Sequence, residues 1–199
     1  GHVANQDLLH LNLADQGKNG DAVWLRAHTR HTGRAIGVAA SLAGETSAAD
    51  RLPVTPDLCP GYPALSAAAD LKPGQTLQLD KVVAITTDRD QTKTSEVAAT
   101  SEVSARALGE LSGATYDRLR AEHVAAWATI WREGDVIIEG DDEAQLAMRF
   151  NLFQLLAAAP RHDERVSIGA KTLSGYGYRG HVFWDTEIFI LPYLIYTFP

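Results

Sequence analysis

The chain has 199 residues, 45% of them hydrophobic, and carries a net charge of −7 from 25 acidic and 18 basic side chains. That composition belongs to a globular chain long enough for one ordinary domain or two small ones. The basic residues are scattered, which argues against nucleic acid as a partner, and no apolar run approaches the ~18 residues of a membrane-spanning helix.

The start, GHVANQDLL, has neither the charged nor the apolar region of a signal peptide. With the single Cys59 unable to form an internal disulfide, a reducing cytoplasm is the expected compartment, a signal ahead of Gly1 being left open. Cys59 lies between Leu58 and Pro60, away from any His or acid cluster, and reads as a plain thiol rather than a nucleophile. Residues 1–90 read as β structure. AVWLRAHT at 22–29 sets Val23, Leu25 and Ala27 against Trp24, Arg26 and His28, and TLQLDKVVAITT at 76–87 alternates before a β-branched run. Between them Pro53, Pro56, Pro60 and Pro63 predict loop, because proline removes a backbone donor and fixes φ. LKPGQ at 71–75 predicts a turn. An antiparallel sandwich is the economical arrangement.

Residues 88–104, polar and rich in Ser and Thr, show no apolar stripe and read as a boundary. A helix is then predicted by Tyr116, Leu119, Val124, Trp127, Ile130 and Trp131 at near-helical spacing, with Thr115 placed to cap it. After the short β-branched run 136–138 and Gly140 comes a second helix, DDEAQLAMRFNLFQLLAAA. It has acids in its first turn, a predicted inner face of Leu146, Phe150, Phe153 and Ala157, and a stop at Pro160. In the tail the glycines up to Gly180 predict loop. The dense apolar run 188–196 fits either a buried helix with Pro192 near its start or strand-like backbone leading into one.

The segment GYGYRGHVFWDTE, 175–187, gathers side chains suited to a sugar. Hydroxyls want carboxylate, guanidinium or imidazole partners, here Asp185, Glu187, Arg179 and His181. The C–H face of a pyranose packs on aromatic rings, here Trp184, Phe183, Tyr176 and Tyr178. Plainer readings exist for each. Phe183 and Trp184 could be core, His181 a structural histidine, Arg179 and Glu187 an ion pair, and Asp185 a helix cap. It is the coincidence of all of them in one glycine-rich stretch that favours a site. Metal binding by His181, Asp185 and Glu187 is disfavoured, because Glu187 falls about 200° from Asp185 around a helix and no second His lies nearby. Ser174, in LSGYG, is not in a nucleophile elbow.

KTLSGYGYRGHVFWDTEIFILPYLIYTFP, and RGHVFWDTEIF within it above all, resembles the signature that enters the catalytic barrel of glycoside hydrolase family 65. That family holds the maltose, trehalose, kojibiose and nigerose phosphorylases and some α-glucoside hydrolases. WREGDVIIEGDDEAQLAMRFNLFQLL is similar to its linker and first barrel helix, and LKPGQTLQLDKVVAITT to the last strands of its N-terminal sandwich. Tyr176 departs from the pattern, since many members carry Glu there.

The resemblance implies an α+β chain in three parts: the end of an antiparallel β-sandwich at 1–90, a helical linker at 91–140, and the first helices of an (α/α)6 barrel at 141–199. It implies that Trp184 and Asp185 bind the non-reducing-end glucose, with Tyr178, Arg179, His181, Phe183 and Glu187 lining or supporting the same subsite. The family's catalytic glutamate and phosphate loop are expected downstream, so no catalytic residue is assigned here and the 199 residues are expected to be inactive alone. The implied reaction is inverting phosphorolysis of an α-linked glucose disaccharide to β-glucose 1-phosphate and glucose. Inorganic phosphate is the co-substrate, and no cofactor or metal is expected. Family frequency favours this over trehalose-type hydrolysis, and a non-catalytic carbohydrate-binding or structural piece is the alternative of a different class. Dimers are common in the family, which makes a homodimer the oligomeric form to test, although no stretch marks an interface.

Overall fold

The computed structural model describes residues 10–48, 51–90, 99–160, 163, 165–172, 178 and 181–198. The chain divides into two compact units, one of residues 4–121 and the other of 122–199 with 1–3. Both are built from elements of the expected α+β class.

The first unit contains a four-stranded antiparallel sheet ordered β1-β2-β3-β6, from β1 (Leu11–Asn19), β2 (Ala22–Thr29), β3 (Ala35–Thr46) and β6 (Leu77–Thr87), and a hairpin of β4 (Val54–Cys59) and β5 (Tyr62–Ala67). The register separates two faces. Val23 pairs with Ala40, Leu25 with Val38 and Ala27 with Ile36, so these side chains share one face; Trp24, Arg26 and His28 share the other with Ala39, Gly37 and Ala35. The alternation read in 22–29 is the alternation observed, and Val23 and Ala27 are both buried.

The hairpin corrects the expectation of loop around the prolines. Pro56 pairs with Leu65 and Pro63 with Leu58, while Cys59 and Tyr62 close a two-residue turn. Counting back from that closing pair, both prolines fall in the pairs that exchange no hydrogen bonds, where a missing N–H costs the ladder nothing. Gly61, at φ +76°, supplies the positive φ that a Pro-Gly turn needs at its second position. Gln16 of β1 fastens the turn, its Nε2 donating to the carbonyls of Leu58 and Cys59, both at 3.0 Å, and its Oε1 accepting from Gly61 N at 2.6 Å.

The stretch read as a polar boundary contains a helix, α1 (Ala99–Leu111). It packs on the small-residue face of the sheet, where Ala35, Ala39, Val103 and Ala107 are all at most 1% exposed. Gly37 makes the approach feasible, since a Cβ there would run into the backbone of Val103. Thr86, paired with Gly37 on that face, donates its hydroxyl to the Val103 carbonyl at 2.5 Å, and the Arg106 guanidinium reaches the Thr87 carbonyl. Small residues, rather than an apolar stripe, let this helix sit close.

Helix α2 (Tyr116–Gly134) starts where expected, with Thr115 Oγ1 accepting from Arg118 N at 3.3 Å and its carbonyl from Leu119 N at 3.0 Å. Helix α3 (Asp142–Ala158) is capped by Asp141, whose carboxylate accepts from Ala144 N at 2.9 Å, and it ends at Ala159 in the extended conformation favoured before proline. Its buried face is not the predicted one. Leu152 and Leu156 are buried, whereas Leu146, Phe150 and Phe153 are exposed. Apolar residues lie all around this helix, so periodicity alone could not choose between faces.

The β-branched run between the helices is not a strand. Gln145 clamps it, donating to the Val136 carbonyl at 2.9 Å and accepting from Ile138 N at 2.7 Å. Arg149 adds a two-pronged bond to Asp135, at 2.6 and 3.0 Å. The apolar run in the tail is helical, but no residue of α4 (Leu191–Thr197) is buried, so a buried helix is not what this chain forms. Among the described residues no helix is long and apolar enough to cross a membrane.

Candidate functional site

Of the residues singled out in 175–187, Tyr178, His181, Phe183, Trp184, Asp185 and Glu187 are described, while Arg179 and Tyr176 lie outside the described residues. The stretch 181–183, in neither helix nor strand, leads into the turn Phe183–Trp184–Asp185–Thr186, closed by a bond from Thr186 N to the Phe183 carbonyl at 3.2 Å. A π-helical turn, Thr186–Ile190, follows, closed by Leu191 N on the Thr186 carbonyl, and runs into α4 with Pro192 in its first turn. The fixed φ of Pro192 suits helical backbone, and the proline contributes no N–H at the junction of the two turns.

Several of the plainer readings do not match this arrangement. Trp184 is 63% exposed and Phe183 41%, so neither is core in this chain. Asp185 already has helical dihedrals, φ −54° and ψ −35°, and makes no cap hydrogen bond. His181 and Glu187 are exposed. The structure thus exposes the Trp184 ring and Glu187 and leaves Asp185 half-buried between them in sequence, without bringing the two carboxylates together.

Aromatic contacts order the surface. Tyr178, which adopts the left-handed region at φ +65°, packs edge-on against Phe183 with ring centroids 5.2 Å apart, and Lys171 Nζ lies 5.5 Å from its ring centre. Its carbonyl accepts from His181 N at 2.9 Å. Trp184 lies beside Phe189, five residues on, at 6.1 Å. Residues five apart share a face in a π turn, where an α-helix would set them about 140° apart. Composition did not single out Lys171, Phe189 or Thr186. A cation two turns upstream of an aromatic cluster was the only hint of the first.

A second aromatic surface, a shallow groove of about 410 Å³, is lined by His123, Val124, Trp127, Ala128, Trp131 and Phe153 and shares no residue with 178–187. Among the described residues no three His, Cys, Asp or Glu side chains are grouped as a metal would require. Cys59 is exposed, and the hydrogen bond from its thiol to Asp57 pushes its pKa up, which suppresses the nucleophilic thiolate.

An antiparallel sheet unit with one docked helix, followed by a helical unit presenting an aromatic and carboxylate surface, defines an α+β protein with a polar, ring-bearing candidate site. Residues 2–130 match the model of the glycosyl hydrolase family 65 N-terminal domain, and residues 149–199 that of the family's central catalytic domain. The chain belongs to glycosyl hydrolase family 65.

It is 44% identical over 138 residues to a kojibiose phosphorylase of Halothermothrix orenii, a match covering 68% of this chain and 18% of that protein. It is also 44% identical over 98 residues to a nigerose phosphorylase of Lachnoclostridium phytofermentans, covering 49% and 13%. A solved structure from the human microbiome, provisionally named a kojibiose phosphorylase, superimposes with a TM-score of 0.67 at 23% identity over 94% of this chain and 23% of that one, which speaks for the fold. The chain spans about a fifth or less of the length of these relatives.

Proposed function

We propose that the chain is the sandwich end, linker and barrel entrance of an enzyme that phosphorolyses an α-linked glucose disaccharide, divided at 1–90, 91–140 and 141–199. The observation that carries the proposal is the exposed Trp184 ring beside the half-buried Asp185, within the segment RGHVFWDTEIF, in a chain whose relatives are named as kojibiose and nigerose phosphorylases. Trp184 stacks under the C–H face of the non-reducing-end glucose, and Asp185 accepts hydrogen bonds from its hydroxyls. Tyr178, Arg179, His181, Phe183 and Glu187 support the same subsite.

In the reaction a phosphate oxygen forms the new bond to the anomeric carbon as the bond to the leaving sugar oxygen breaks. That oxygen takes its proton from a general acid, and inversion converts the α-linkage into β-glucose 1-phosphate. Neither the acid nor the phosphate loop is assigned to these 199 residues, and their share of the work is to hold and orient glucose. The enzyme works in the cytoplasm with inorganic phosphate as co-substrate and no cofactor, and a homodimer is the oligomeric form to test.

Two measurements test the reading. In the full-length enzyme Asp185→Ala and Trp184→Ala each weaken glucose binding by on the order of 10- to 100-fold, the loss expected of a charge-assisted hydrogen bond or a stacked ring, while the circular dichroism stays native. Unchanged binding would mean the segment is structural. Omitting inorganic phosphate abolishes turnover; glucose release at the same rate without phosphate favours the trehalose-type hydrolase instead.

A further inference from the structure

Thr186 lies next to the two residues assigned to glucose, and it is the most enclosed of the buried polar residues Thr86, Ser104 and Thr186, at 2% exposure. Three hydrogen bonds converge on it. Its N–H donates to the Phe183 carbonyl at 3.2 Å, closing the turn that has Trp184 and Asp185 as its two central residues. Its carbonyl accepts from Leu191 N, closing the π turn. Its hydroxyl donates to the carbonyl of Ile168 at 2.8 Å, across eighteen positions of sequence, and Ile168 is itself buried.

The first two bonds are local and would move with the turn as a unit. Among the described residues, the hydroxyl is the hydrogen bond that ties the turn to a separate piece of chain, residues 166–169, whose end is set by Thr172 N donating to the Gly169 carbonyl at 2.8 Å. The tie also gives the carbonyl of the buried Ile168 a donor. Thr186 and Ile190, four apart, are the buried residues of the π turn.

We propose that Thr186 is a positioning residue for the glucose subsite: by bonding the Ile168 carbonyl, its hydroxyl fixes the closing residue of the turn that aims the Trp184 ring and the Asp185 carboxylate. The proposal rests on the subsite reading above. It assigns Thr186 no contact with sugar. Its effect is pre-organisation, and a misplacement of ~1 Å in a positioned group can cost up to about 100-fold.

The test compares Thr186→Val, which keeps the shape and loses the hydroxyl, with Thr186→Ser, which keeps the hydroxyl, in the full-length enzyme. Glucose affinity is measured by calorimetry at a temperature where circular dichroism shows each variant fully folded, with kcat and KM recorded alongside. The expected result is a loss of about tenfold or more in glucose affinity for T186V, with a matching rise in KM for the disaccharide, and recovery to within about threefold in T186S. A purely structural threonine would lower the melting temperature of T186V without changing the affinity of the folded protein. If T186V does not accumulate folded, Thr186→Ala against T186S gives the same ratio. T186V binding glucose as the unaltered enzyme does, while D185A has lost binding, overturns the positioning role and leaves the subsite standing. Unaltered binding in D185A as well removes the subsite, and the role of Thr186 with it.

Discussion

The two units of the chain both bury and expose apolar side chains, but they differ in the size of what they pack most tightly. In the sheet unit the tightest packing is made by small side chains, with Ala35, Ala39 and Ala107 almost wholly buried beside Val103. In the helical unit the largest side chains stay in solvent, among them Phe150, Trp184, Phe189 and Tyr196, the last at 88% exposure. The difference shows that burial follows the presence of a complementary surface rather than the hydrophobicity of a residue. Ala39 is buried because α1 can come within reach of a glycine-bearing strand, and Phe150 is not because no partner surface covers it in this chain. Exposed aromatic faces of this extent are where a soluble protein places ligands or further chain.

The strongest way to break that contrast is Val103→Asp, which puts an unpaired charge between α1 and the sheet. It is expected to cost about 4 kcal/mol or more, and urea unfolding of the chain measures it. Phe150→Ser, a loss of far more apolar area on paper, is expected to stay within about 0.5 kcal/mol. Comparable midpoints for the two variants would mean that the packing of α1 is misplaced.

A smaller effect sharpens the picture of the same interface. Thr86→Val removes the hydroxyl bond to the Val103 carbonyl, a bond added to one that a mid-helix carbonyl already accepts, at a cost of about 1 kcal/mol. A shift of the urea midpoint toward higher stability in this variant would count against the bond.

The smallest expected effect is in the helical unit and depends on pH. Hydrogen bonds from Arg149 hold the Asp135 carboxyl below its ordinary value, with the charge attraction adding to them. Since the folded-state pKa lies below the unfolded one of about 3.9, the pair stabilises the fold above that pH, and its contribution is lost as pH falls through the folded value. Asp135→Asn is therefore expected to be less stable than the parent at neutral pH, and the gap to close below about pH 4. A gap of constant size across acid titration would show that the pair contributes no proton-linked stability.

What the sequence revealed and what it hid follow the same physical division. Elements specified by local chemistry were legible: β2 through its alternation, α2 through Thr115 and its apolar spacing, α3 through its first-turn acids and the stop at Pro160. Elements specified by fit between distant pieces were not. Helix α1 depends on Gly37 and Thr86, far from it in sequence and neither of them apolar. The β4–β5 hairpin depends on its register, since one residue of slip would put both prolines in hydrogen-bonded pairs. For α3 the existence of the helix was legible and its buried face was not. The candidate site divides likewise. The residue types in 175–187 set the expectation of a sugar surface, which stands as a proposal, whereas the bond from Thr186 to Ile168 and the approach of Phe189 to Trp184 depend on a π turn that no apolar period encodes.

That π turn also sets a rule about length. Thr186 and Ile190 face inward four residues apart, while Trp184 and Phe189 meet five residues apart, so the segment holds two different spacings at once. Substitutions within it leave both spacings intact. Loss of a single residue from 186–190 would return the turn to ordinary α-helix and swing Trp184 and Asp185 through about 100° relative to α4. The spacing of the segment therefore depends on its residue count rather than on which side chains it carries, and the extra residue acts as a spacer that lets Thr186 and Ile190 pack inward while the Trp184 ring stays exposed.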